Sequence, residues 1–332
     1  MTRNFLPAIR PASLLVLLLV CPGSSIPGQP AQSASPYGSP KPLPNPIVFG
    51  EGIISTADDE SHPAFTPDGR TLYFMKNSPS FNHWTIIVSQ YAGGRWGPPE
   101  VTPFSGRYSD ADPFITSDGK RFFFISTRPV QGKPRKDTDI WMMERTASGW
   151  SEPEHLGYPV NSDANEWFPT VTDKGTLYFG SEREGGKGRA DIWRSELKGG
   201  RYGDPENLGE TINSPAGEVE PYIAPDERLM IVAAAGRPDS LGAFDLYVSY
   251  KRNGAWTRLE NLGDGINSRG WDFSPKISPD GKYFFFTSNR GFADEPLEKR
   301  LTYKELMAYL HSPRNGLRDI YQVDTSALKL QR

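Results

Sequence analysis

Five short apolar runs recur down the chain: Thr71 to Met75, Arg121 to Ile125, Thr176 to Phe179, Leu229 to Val232 and Tyr283 to Thr287. Each is too short for a helix and follows a turn phrase, so each reads as a strand leaving a tight reversal. The phrases are Thr66-Pro67-Asp68-Gly69-Arg70, Thr116-Ser117-Asp118-Gly119-Lys120, Thr172-Asp173-Lys174-Gly175, Ala224-Pro225-Asp226-Glu227-Arg228 and Ser278-Pro279-Asp280-Gly281-Lys282. Pro presets one turn dihedral, Asp caps the turn through its carboxylate and Gly supplies the positive φ. Upstream of each lies a shorter strand marked by Pro63, Pro113, Pro169, Pro221 and Pro275, at intervals of 50, 56, 52 and 54 residues. A third strand carries Asp-Ile-Trp, Asp-Leu-Tyr or Asp-Ile-Tyr at Asp139, Asp191, Asp245 and Asp319; in the first repeat Thr85 and Ile87 hold these places. A fourth segment reads Glu206 to Ser214, echoed by Glu260 to Ser268 and His155 to Ser162.

Four antiparallel strands repeated about every 50 residues predict an all-β fold, a five-bladed β-propeller of four-stranded antiparallel blades. One blade cannot cover both faces of its own sheet, whereas neighbours stacked around an axis can. The last repeat stops soon after its third strand. Ile47 to Ser55 resembles the missing fourth piece, with Gly50, Ile53 and Ser55 set against Gly209, Ile212 and Ser214. The first strand is therefore expected to complete the last blade. A six-bladed ring is the alternative, although no residues remain from which to build a sixth blade. One helical insertion is expected in the last blade, between Gly291 and Arg318. There Thr302 and Glu305 form a capping box, Leu301 and Leu306 a staple, and Pro313 and Gly316 a stop. It is read as a helix over one end of the ring, or as a lid or docking element.

Composition agrees with strands and turns. Among 332 residues, 33 are Gly, 31 are Pro, and 40 are aromatic (8 Trp, 14 Tyr, 18 Phe). The net charge of −3 argues against a nucleic-acid partner. One Cys and four His leave no zinc cluster of cysteines and no disulfide framework. Residues 1–21 read as a signal peptide: Arg3 and Arg10, then the apolar run Leu14 to Val20, too short to span a bilayer. Cys21 closes that run and is a possible lipid anchor. Residues 22–46 hold eight prolines and read as a Pro/Gly/Ser-rich linker, residues 47–325 as the propeller and 326–332 as a tail. The expected location is periplasmic or secreted, lipoprotein included, with no transmembrane span in the mature chain.

These phrases, together with Ser126-Thr127-Arg128, Ser181-Glu182-Arg183 and Ser288-Asn289-Arg290, resemble the WD40-like (PD40) propeller repeat family, of TolB-like type. The resemblance covers about residues 47–325. It implies a propeller scaffold, mostly used for binding; the TolB type itself has six blades and a separate N-terminal domain.

An acid stands three residues before every repeat proline: Glu60, Asp110, Glu166, Glu218 and Asp272. These could ring one channel mouth, but a residue present in every blade more often serves every blade, here by pairing with the Arg of Ser-x-Arg. Function is expected where the repeat is broken. One residue before the proline the chain reads His62, Asp112, Phe168, Glu220 and Ser274, and period-2 alternation places these on the face of the shared acid. His62, Asp112 and Glu220 are candidate ligand-binding residues, with a mixed N/O metal site or an acid/base pair as rarer readings. Trp167 and Trp271, beside them, are candidate stacking platforms. No cofactor, metal or catalytic residue is assigned. The expected function is an exported module binding an envelope protein, peptide or glycan. The alternative is a carbohydrate-active enzyme, a five-bladed glycoside hydrolase or lyase analogue using channel-mouth carboxylates.

Overall fold

The computed structural model describes residues 35–39, 41–291 and 299–331. The stretch read as a signal peptide, residues 1–21 with Cys21, lies outside the described residues. Five antiparallel sheets form the propeller. From the axis outward, the first blade runs Asp59–Phe65, Thr71–Asn77, Trp84–Ala92 and Glu100–Val101. The second runs Asp110–Ile115, Arg121–Ser126, Asp139–Thr146 and Glu154–His155. The third is Glu166–Val171, Leu177–Ser181, Asp191–Ser195 and Glu206–Asn207; the fourth is Gly217–Ile223, Leu229–Ala235, Asp245–Arg252 and Glu260–Asn261. The fifth is Asp272–Ile277, Tyr283–Ser288 and Asp319–Asp324, and Ile47–Val48 is its fourth strand.

The closing strand pairs antiparallel with the third strand of the last blade, Ile47 opposite Gln322 and Val48 opposite Tyr321. The register beyond it differs by one residue from the sequence alignment. Ile54, fully buried, fills the place of Ile212, while Ile53 is exposed. Ser55 brackets Ile320 through its N–H and C=O, as Asn213 brackets Ile192 and Asn267 brackets Leu246. Thr56 then takes the role of Ser214, donating to the acid four residues on. The two positive-φ glycines Gly50 and Gly52 absorb the extra residue.

The second strands are buried throughout their middles and fill the space between sheets with flat rings. Phe74, Phe122, Phe123, Phe124, Phe179, Phe284, Phe285 and Phe286 have no exposed surface. Each fully buried ring contributes about 1.5–3 kcal/mol, which makes the sheet-to-sheet contacts the main source of cohesion. At the turns Thr66, Thr116 and Ser278 each donate to the turn Asp at 2.6 Å and accept the N–H of the residue that opens the next strand.

Within the stretch expected as a linker, residues 35–39 and 41–46 lie against the propeller. Tyr37 and Leu43 are buried. Tyr37 stands edge-on to Phe65 at 5.1 Å and near Phe285 at 5.8 Å, bridging the first and last blades. Leu43 exchanges two hydrogen bonds with Asp324. Average composition hides these two anchors: one aromatic in a proline-rich stretch is enough to hold it against a ring of phenylalanines. At the other end Leu328 is buried in the core of blades four and five, and Leu330 packs against it.

The insertion contains the helix Tyr303–Leu310 with the capping box of Thr302 and Glu305. It packs less than expected: none of its residues is buried, and Tyr303, Leu306 and Leu310 are exposed. Among the described residues no helix is long and apolar enough to cross a membrane.

Candidate functional site

The innermost strands converge on the axis, and each contains a bulge at its proline. Register slips between Ser61 and Ala64, Ala111 and Phe114, Trp167 and Thr170, Val219 and Tyr222, and Phe273 and Lys276. The residue before the proline is left-handed in every blade: His62 (φ 56°), Asp112 (56°), Phe168 (51°), Glu220 (54°) and Ser274 (53°). Such a conformation costs a non-glycine residue about 1–3 kcal/mol, so the surroundings must enforce it. They do so across blade boundaries. The Phe168 N–H donates to Asp112 Oδ2 at 3.0 Å, the Ser274 N–H to Glu220 Oε2, and the His62 N–H to Thr287 Oγ1 at 3.1 Å. Simple alternation therefore fails here. The bulge separates the residue before the proline from the shared acid two positions earlier.

That separation explains the five acids. Glu60, Asp110, Glu166, Glu218 and Asp272 have no exposed surface. Four bind the Arg of their own blade: Asp110–Arg128 at 2.7 Å, Glu166–Arg183 at 2.9 Å, Glu218–Arg237 at 2.8 Å and Asp272–Arg290 at 2.6 Å. Glu60 binds Lys76 at 2.8 Å instead. The hydroxyl of Thr56, Ser162, Ser214 or Ser268, four residues upstream, donates to the acid in four of the blades. Each blade thus carries its own buried ionic staple.

His62, Asp112 and Glu220, contributed by three separate blades, meet on the axis. His62 Nε2 lies 3.3 Å from Asp112 Oδ1 and 3.5 Å from Glu220 Oε1, and all three residues are buried. Nδ1 of the same ring faces Ser61 Oγ at 2.8 Å, which leaves Nε2 for the carboxylates. The imidazole lies flat on Phe168, centroids 5.2 Å apart and planes within 2°. Burial, then the charge of Glu220, pushes the Asp112 carboxyl up to about 7 against the opposing pull of His62 and the Phe168 N–H. Lys276, two residues beyond Ser274, is pulled down to about 8 by burial, with Asp112 and Glu220 opposing. These groups and four of the repeat prolines, Pro113, Pro169, Pro221 and Pro275, close the channel to a waist with about 10 Å³ of free space. Among the described residues no group of three or more His, Cys, Asp or Glu side chains is arranged to hold a metal ion.

The waist separates two cavities. On the side of the turn phrases, a 420 Å³ hollow is bordered by Pro67, Ser117, Asp173, Pro225 and Pro279, with Lys276 at its inner end. On the opposite side a 330 Å³ pocket is walled by Phe81, Trp167, Phe168, Phe244, Trp271 and Phe273. Its polar lining is Glu220 at the floor, shared with the waist, together with Glu182, Arg189 and Arg318. A larger groove, 760 Å³, follows the outer edge of the first blade between Ile53 and Val101; its lysine, Lys76, is already engaged by Glu60. Size alone would select that groove, but the converging polar groups select the aromatic pocket.

The sequence candidates thus fall into two layers. Trp167, Trp271 and Glu220 line the pocket, while His62 and Asp112 lie beneath it in the waist. Sequence reasoning missed Phe81, Phe244, Arg189, Arg318 and Lys276. Phe273 was missed as well, although it occupies in the fifth blade the place that Trp167 occupies in the third; Phe81, Phe244, Arg189 and Arg318 come from loops without a repeat signature, and Lys276 lies on the inner strand of the fifth blade, one residue past its proline.

No family model matches the chain. It is 28% identical over 213 residues to the uncharacterized peptidase YuxL of Bacillus subtilis, covering 56% of this chain and 30% of that protein. The chain therefore spans less than a third of that relative's length. Among solved structures it is similar to TolB from Acinetobacter baumannii (16% identity, 80% of this chain and 54% of that one, TM-score 0.46). It is also similar to a glycoside hydrolase (11% identity, 85% and 92%, TM-score 0.52). At these identities the likeness concerns the propeller fold alone, which hosts both binders and enzymes.

Proposed function

We propose that this chain is an exported binding module that holds a peptide, protein or glycan in the aromatic pocket at one mouth of its channel. The observation that carries the reading is the contrast between pocket and floor. Six aromatic rings converge around a 330 Å³ space, a shape and lining suited to a ligand group. The carboxylates nearest to it are already occupied: Asp112 and Glu220 accept backbone N–H groups and face one imidazole. The five shared acids are stapled to cations. A glycoside hydrolase canonically presents two carboxyl groups to substrate with separate roles; here Glu220 forms the pocket floor and Asp112 lies beneath it in the waist, both buried. Export rests on the leader at residues 1–21.

Two measurements test the reading. Fractionation of cells expressing the full chain should place it outside the cytoplasm. Ligands retained by the wild type from envelope extracts should be lost with Trp167→Ala and Trp271→Ala, both of which should keep their melting temperature within a few degrees. Turnover of any glycoside or peptide substrate that disappears with Asp112→Ala or Glu220→Ala, folding intact, would overturn it in favour of an enzyme.

A further inference from the structure

The pocket has a chemical direction. Its floor, Glu220, is acidic; that carboxylate accepts the Ser274 N–H and faces His62 Nε2 at 3.5 Å. Its middle is aromatic: Trp167 and Phe168 on one side, with centroids 6.2 Å apart, and Phe244 and Trp271 on the other, 5.7 Å apart. Two arginines border it, and they differ. Arg318 is committed: its guanidinium reaches both oxygens of Asp59 at 2.8 and 3.0 Å and lies 3.7 Å from the Phe81 ring. Arg189 is exposed, and its side chain has no hydrogen bond or ion pair among the described residues. Glu182, an acid of the same lining, accepts from Asn165 at 2.7 Å.

Resting on the binding reading above, we infer that the pocket takes the C-terminal residue of a peptide, its large apolar or aromatic side chain between Trp167 and Trp271 and its terminal carboxylate on Arg189. The acidic floor repels a carboxylate, so the anionic end stays at the mouth and the apolar group points inward. A guanidinium with all its donors free matches a carboxylate in a two-pronged, charge-assisted contact. A sugar ring fits less well. Its hydroxyls would enter a space whose walls are rings, and each buried hydroxyl without a partner is costly. A volume of 330 Å³ holds one large side chain and part of the preceding backbone, which leaves the rest of the peptide outside.

The test uses the full exported chain and two tripeptides, acetyl-Gly-Gly-Phe as free acid and as amide, titrated by tryptophan fluorescence and calorimetry. The free acid should bind at least tenfold more tightly than the amide, and the preference should weaken with added salt. Arg189→Ala should reduce the acid to the level of the amide without moving the melting temperature, since Arg189 holds nothing in the fold; Arg189→Lys should retain part of the preference. Trp271→Ala should weaken acid and amide alike. Equal binding of acid and amide, an undiminished preference in Arg189→Ala, or binding of a glucuronate-terminated disaccharide with neither peptide bound would overturn the inference. The last result would leave the binding-module reading intact, because capture of a glycan would still depend on Trp167 and Trp271.

Discussion

Replacing Asp112 by Asn changes one charge at the waist and little else, because the amide oxygen can still accept the Phe168 N–H. In the folded chain this carboxyl keeps its proton to about pH 7, against an ordinary 3.8. Between those values the native state holds a proton that the unfolded chain has released. Its contribution to stability is therefore complete below about pH 4 and is lost as pH rises toward 7. Carrying a single carboxyl across that interval is worth roughly 4 kcal/mol at most. Because Asp112 interacts closely with other charged groups of the waist, part of that amount is offset and a loss of about 2–4 kcal/mol is expected. Lys276 adds an opposite limb: held at about 8 rather than 10.5, it restores stability as pH climbs between those values. Asp319, raised to about 7 by burial, behaves as Asp112 does and leaves a residual acid limb in the variant. The assay is thermal unfolding by circular dichroism from pH 4.5 to 9.5, wild type against Asp112→Asn. The wild type should lose roughly 5 °C or more of melting temperature relative to the variant between pH 4.5 and 7.5. Parallel curves for the two proteins would refute the reasoning, because the buried carboxyl would then not be the group that titrates.

Three further outcomes follow from contacts elsewhere. Arg290→Ala strands the buried Asp272 carboxylate and should cost about 3–5 kcal/mol in urea unfolding, whereas Arg290→Lys, which copies the Glu60–Lys76 staple of the first blade, should recover part of it. Tyr37→Ala should cost about 3–5 kcal/mol by chemical denaturation, a loss that an unpacked linker would not show. Gly69→Ala, at φ +69° and with its new methyl against the Tyr37 hydroxyl, should destabilise by about 1–2 kcal/mol from backbone strain alone. Its full cost should be smaller in a Tyr37→Ala background, a coupling that a double-mutant cycle measures.

Much of the architecture was written in local chemistry. Turn phrases such as Thr66 to Arg70 act through their own atoms, so blade number and strand order follow from counting them. The closing strand was legible too, because Gly50 and the isoleucine after it repeat a blade-wide pattern; the one-residue slip at Ile54 was not, since it depends on two glycines being left-handed at once. The site was half legible. Breaks in the repeat pointed to His62, Asp112 and Glu220, and the fold brings them together on one nitrogen. The division between waist and pocket was hidden because it arises from bulges. Strict alternation cannot show that a residue two positions from a buried acid turns toward the axis. Arg189 and Phe81 reach the pocket from loops, whose course is set by tertiary contacts and not by any period in the chain.

The ring closes through a strand only two residues long, and its partner is the third strand of the final blade. A ribosome therefore delivers Ile47 and Val48 long before Tyr321 and Gln322 exist to receive them. Until then the earliest part of the disc has an unpaired edge and an uncovered row of phenylalanines on its flank. Translation from the N-terminus can complete four blades in turn, but the fifth becomes whole only once its third strand, Asp319–Asp324, has been made. Any truncation that removes the final strand therefore opens the circle and disperses the waist in one step.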